Sequence, residues 1–118
     1  MAIKIGKPIK IQAAGNKVKI IEEYIGRVNS KTSDISIAHM KSPAGWEEPG
    51  QKPEFREYTI VLSGKLHVRT NTQELDVLAG EAVMAEPNEW VQYSTPDMDT
   101  EYFAICMPAF SNETVHRD

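Results

Sequence analysis

The chain has 118 residues and a mass of 13.2 kDa, enough for one domain whose single core removes roughly two-thirds of the unfolded surface from water. Seventeen Asp and Glu against thirteen Lys and Arg give a net charge of -4, which excludes the basic footprint of a nucleic-acid binder. No apolar stretch approaches the ~20 residues of a membrane span.

Met1 to Lys10 carries scattered Lys but no apolar run of signal-peptide type, so no secretory leader is expected. The lone Cys106 makes neither an intramolecular disulfide nor a thiolate metal cluster. A reducing cytoplasm is the expected setting.

Short β-rich runs recur about every ten residues between turn signals, the pattern of an all-β sandwich or barrel. The first runs from Val18 to Ile25 and closes at Gly26. Asp34 to Met40 follows, with Ile35, Ile37 and His39 on one face by the period of two. A turn-rich stretch, Lys41 to Pro53, leads into Glu57 to Leu62. Ser63-Gly64 then signals a hairpin, and Leu66 to Thr70 returns. Leu75 to Leu78, Ala82 to Ala85, Trp90 to Ser94 and Glu101 to Met107 bring the count to at least seven strands. No amphipathic helix of ten residues is present. A sheet this size must therefore be covered by another sheet, in a closed barrel or a double-sheet jelly roll. The polar tail from Pro108 to Asp118 has one apolar anchor, Phe110.

The stretch Gly45-WEEPG-Gln51-Lys52-Pro53-EFR-Glu57-YTIVLS-Gly64 resembles the first motif of the cupins, small jelly-roll barrels. In that motif a Gly precedes His-x-His by five residues, and a Glu and a second Gly follow at set spacings. Gly80-EAVMA-Glu86-Pro87-Asn88-Glu89-Trp90-Val91-QYS-Thr95 is similar to the second motif, with Pro87 one position late and Asn88 where the family has Gly. Asn is the usual substitute at positive φ. The resemblance covers residues 35–107 and implies an all-β cupin jelly-roll barrel for a single domain, 1–118, with its core at about 18–107. The run FAICMPAFSNETVHRD resembles, more loosely, the C-terminal stretch of ectoine synthase, a cupin cyclase. That likeness implies a tail folded back over the barrel or a neighbouring subunit, and it carries over no catalytic residue.

Typical cupins hold a divalent metal with two His and a Glu of the first motif and a His of the second. Those four places here read Gln51, Pro53, Glu57 and Val91. A lone carboxylate does not retain a transition metal against water, so no metal cofactor is expected. Strand parity gathers His39, Gln51, Glu57 and Tyr93 at the barrel mouth, with Gln92 in place of Tyr93 if the register slips by one residue. Trp46, Glu47 and Glu48 stand in the neighbouring loop, either as a lid facing the ligand or as an ordinary connection whose Trp packs over the barrel end.

Three functions fit these residues. In the first, His39, Trp46, Gln51, Glu57 and Tyr93 bind a small polar metabolite without metal, and the desolvated Glu57 is a general acid or base. In the second, His39, Glu57 and Tyr93 (or Gln51) rebuild a divalent-metal site for an isomerase, lyase or cyclase. In the third, side chains such as Tyr93, Met84 and Val61 fill the barrel of an interaction protein. A homodimer is expected, held by edge-strand pairing and by Met1 to Ala13. Cys106 reads as a small buried hydrophobe, His67 as a surface residue, and His116 and Arg117 as a solvated terminus or the closure of a site.

Overall fold

The structure is a computed structural model that describes residues 1–118. It contains ten strands and no helix: β1 (Ile9–Ile11), β2 (Ile20–Ile25), β3 (Ser36–Ser42), β4 (Trp46–Glu47), β5 (Arg56–Ser63), β6 (Lys65–Thr70), β7 (Glu74–Leu78), β8 (Ala82–Ala85), β9 (Val91–Thr95) and β10 (Thr100–Met107). They form a six-stranded sheet, β1-β2-β3-β10-β5-β8, facing a four-stranded sheet, β4-β9-β6-β7, with every pairing antiparallel. The architecture is the double-sheet jelly roll that the alternation and turn spacing imply. β1 and β4 had no such signal, because two or three residues are too few to show a period.

Alternation decides what enters the core. On β5, Glu57, Thr59 and Val61 are buried while Ile60 and Leu62 stand exposed. On β10, Tyr102, Ala104 and Cys106 turn inward, and on β9 Val91 and Tyr93 do so. The opposing sheet contributes Leu66, Val68 and Val77, which pack with Trp46, Val61, Ala85 and Val91 in one apolar cluster. Phe55, Cys106 and Val115 form a smaller one, against which Phe110 leans with its ring 5.8 Å from that of Phe55. Met84 is exposed and does not close the interior.

The β5–β6 hairpin turns on Gly64, whose φ of 85° is left-handed. A Cβ there would lie 2.4 Å from the Asp99 carbonyl oxygen and 2.8 Å from the Thr100 Cα. Both the dihedral and the overlap with backbone disfavour a side chain, so Gly64→Ala is expected to cost about 2 kcal/mol or more. A shift of the urea midpoint at unchanged m-value is the check; an unaltered midpoint contradicts the account. Asn88 has a φ of 66°, the conformation its place in the second motif calls for, and its N–H donates to the Pro53 carbonyl.

The tail does not hang in solvent. Thr114 to Asp118 runs along Gly50 to Glu54, with Glu54 N donating to Thr114 O at 3.0 Å, Lys52 N to His116 O at 3.1 Å and Asp118 N to Gly50 O at 2.8 Å. The Trp90 indole donates to Asp118 Oδ2 at 3.0 Å, and His116 meets Glu54 at 2.5 Å. The backbone of His116 and Arg117 is thus docked in a folded-back tail, while both residues stay exposed to solvent. At the other end, Ile9–Ile11 pairs with β2 of its own chain.

Candidate functional site

A cavity of about 70 Å³ opens between the sheets on the inner face of β3, β10 and β5. Glu57 lies on its wall. Its residue is 9% exposed, the Cys106 thiol approaches Glu57 Oε2 at 3.7 Å, and Oε1 has no partner within the protein. Tyr93, 5% exposed, lines the same space, and its hydroxyl is likewise unpartnered. The phenol stands near enough to favour the Glu57 carboxylate but outside hydrogen-bond geometry. Buried polar atoms without partners are uncommon. Two of them facing one cavity mark a place where a guest or water completes the bonding.

Burial pushes the Glu57 carboxyl above its ordinary range; Tyr93, Lys19, Cys106 and Arg117 reduce that rise without cancelling it. Glu48, from the loop after β4, is raised to about 7, first by burial and further by Glu57, with Lys19 and Arg117 opposing. The same low-dielectric setting, and then the Glu57 charge, hold the Cys106 thiol and the Tyr93 phenol protonated, well above their usual values.

Gln51, Glu57 and Tyr93, which strand parity gathers in the sequence, all line the cavity. His39 does not. The inner face of β3 carries Ser36, Ala38 and Met40, while His39 sits on the opposite face. Its ring lies 5.2 Å from that of Phe103, with Nε2 3.1 Å from Glu101 and Nδ1 3.6 Å from Glu22. The parity assigned to Ile35, Ile37 and His39 is therefore corrected. Trp46 is fully buried beneath the site and stands outside the cavity lining. Its indole donates to the Ala14 carbonyl at 3.1 Å, and the Lys19 ammonium rests 3.8 Å from its ring centroid. Gln92 turns away, donating to the Glu48 carbonyl at 3.0 Å.

Lys19, Tyr102 and Arg117 also line the cavity, as does a third carboxyl, Glu23. Lys19 Nζ donates to the Tyr102 hydroxyl at 2.5 Å, and Arg117 arrives on the tail through its bridge to Gln51. No sequence motif announces Lys19 or Tyr102. For Arg117 the only signal was a charged residue on a tail with an apolar anchor.

The motif places do not supply the three histidine donors of a typical cupin metal site. Pro53 and Val91 bring no side-chain donor, and His39 is on the outside. Two cations line the cavity beside the carboxyls. No group of three or more His, Cys, Asp or Glu side chains is placed to hold an ion.

The fold is that of the cupin jelly roll. Solved structures like it include the putative ethanolamine utilization protein Q of Salmonella typhimurium LT2 (TM-score 0.69, 14% identity, 88% of this chain and 98% of that one). The predicted oxalate decarboxylase of Thermotoga maritima (TM-score 0.72, 18% identity) covers 92% of this chain and 99% of its own. Oxalate decarboxylase of Bacillus subtilis (TM-score 0.78, 11% identity) covers 98% of this chain and 31% of its own. In sequence, 101 residues, or 85% of the chain, are 36% identical to a Myxococcus xanthus protein named endoribonuclease YbeY. The chain spans about a third of that relative, 34% of its length. No family model matches.

Proposed function

We propose that this protein binds a small polar metabolite inside the cupin barrel without a metal, with Glu57 as the group that gives or takes a proton. The supporting observation is the pair of unpartnered buried atoms, Glu57 Oε1 and Tyr93 Oη, facing one internal cavity. A carboxyl raised by burial is a candidate for proton transfer. Gln51, Tyr93 and Cys106 supply the polar contacts that would orient the guest, and Ala38, Met40 and Ala104 supply the apolar wall.

The metal-dependent alternative loses its only imidazole with His39 on the outer face. The ribonuclease activity in the name of the Myxococcus relative is not carried over. The matched region is about a third of that protein.

Carbon-detected NMR titration of the Glu57 carboxyl tests the acid–base role, with a midpoint above the 4.5 of an unburied glutamate expected. A midpoint at or below that value removes the argument. Glu57→Gln keeps the shape but cannot ionise. It is expected to weaken binding of any cavity guest by about tenfold or more, the effect of losing one hydrogen bond to an ionisable partner.

A further inference from the structure

Lys19 and Arg117 both line the cavity, and neither has a carboxylate within 4 Å. Each is instead held by aromatic and neutral groups. The Lys19 ammonium lies over Trp46 and donates to Tyr102, and the Arg117 guanidinium is 5.6 Å from the Phe110 ring centroid. They come from opposite ends of the chain, one just before β2 and one on the docked tail. Two cations without a carboxylate at ion-pair distance, the half-buried Lys19 and the solvent-exposed Arg117, can together receive negative charge. Glu23, Glu48 and Glu57 line the same cavity; the Glu23 carboxylate accepts from the Val28 and Asn29 N–H groups, and burial raises Glu48 and Glu57 and so weakens their negative charge.

We infer that the guest is a small organic acid, a hydroxy or oxo carboxylate of two to four carbons. Its carboxylate would be seated between Lys19 and Arg117, and its hydroxyl or carbonyl would face Tyr93 and Glu57. The size follows from the cavity. A volume of about 70 Å³, at ~10–15 Å³ per water-sized group, holds roughly five to seven heavy atoms. The second polar function follows from the unpartnered Tyr93 Oη and Glu57 Oε1, which a bare carboxylate between the two cations would leave unsatisfied. Arg117 reaches the cavity only because the tail pairs with Gly50 to Glu54, so carboxylate binding and tail docking support one another.

This inference rests on the barrel cavity being a binding site, and the probes separate the two ideas. Glycolate and lactate are titrated beside glycolamide and lactamide, which match them in shape but carry no charge. The readout is the shift of the Gln51, Tyr93 and Cys106 backbone amides in ¹⁵N-correlated spectra. The acids are expected to bind at least tenfold more tightly than their amides. Lys19→Gln and Arg117→Gln should each lose tenfold or more, while Arg117→Lys retains most of the affinity. Unchanged amide resonances in β6 and β7 show that each variant is folded. Amides that bind as well as acids, or acid binding indifferent to both charge-removing variants, overturn the carboxylate inference and leave metabolite binding standing. If neither set moves the cavity resonances, the binding reading falls and this inference with it.

Discussion

Glu48→Gln is expected to be more stable than the parent by about 3 kcal/mol at pH 8 and by only about 1 kcal/mol at pH 5, the two converging below pH 4.5. The folded protein holds the Glu48 proton up to about pH 7, whereas the unfolded chain releases it near 4.5. Between those values the native state binds more protons than the unfolded state, so stability falls as pH rises. A rise from 4.5 to about 7 corresponds to about 3 kcal/mol. Gln resembles the protonated acid and has no proton to lose, so the variant escapes this part of the decline. Glu57 is also raised and contributes a decline of the same sign, which the Glu48 variant retains. Urea unfolding at pH 5, 6, 7 and 8 checks the expectation. Parallel curves for parent and variant would show that Glu48 is not desolvated.

The residues that were legible in the sequence are those fixed by short-range pattern. Glu57 and Gly64 stand at motif spacing, and the parity of β5 and β9 turned Glu57 and Tyr93 toward the same interior. The error on β3 has a physical cause. The rule that the more apolar face turns inward presumes a filled core, and here the inner face of β3 borders a cavity. It therefore carries the small or flexible Ser36, Ala38 and Met40, and Ile37 and His39 go outside. Ile37 pairs with Ile105 and His39 with Phe103 across the β3–β10 ladder, so cross-strand contacts shelter the bulky side chains on the outer face. Lys19 and Arg117 were beyond reach for a different reason. They are 98 positions apart, and only the pairing of the tail with Gly50 to Glu54 brings them to one space.

Trp46 was expected to touch the ligand, and the structure gives it a different part, which a pair of substitutions separates. Its side chain is fully buried at the edge of the apolar cluster, and its indole N–H is spent on the Ala14 carbonyl. The ring supports the Lys19 ammonium at 3.8 Å, within the range at which the aromatic face attracts a cation. Trp46→Ala therefore removes core volume, an anchor for the segment before β2, and the support of Lys19. A loss of about 3–5 kcal/mol is expected from the first effect alone. Trp46→Phe keeps an aromatic face but leaves the Ala14 carbonyl without its donor, and it is expected to cost less, about 1–3 kcal/mol. Because Lys19 keeps a ring beneath it, acid binding by Trp46→Phe should stay within a few-fold of the parent. An indole that contacted the guest directly would instead lose affinity on truncation to Phe while Lys19→Gln left it unchanged. Denaturant midpoints and glycolate titrations of these three variants distinguish a supporting residue from a contacting one.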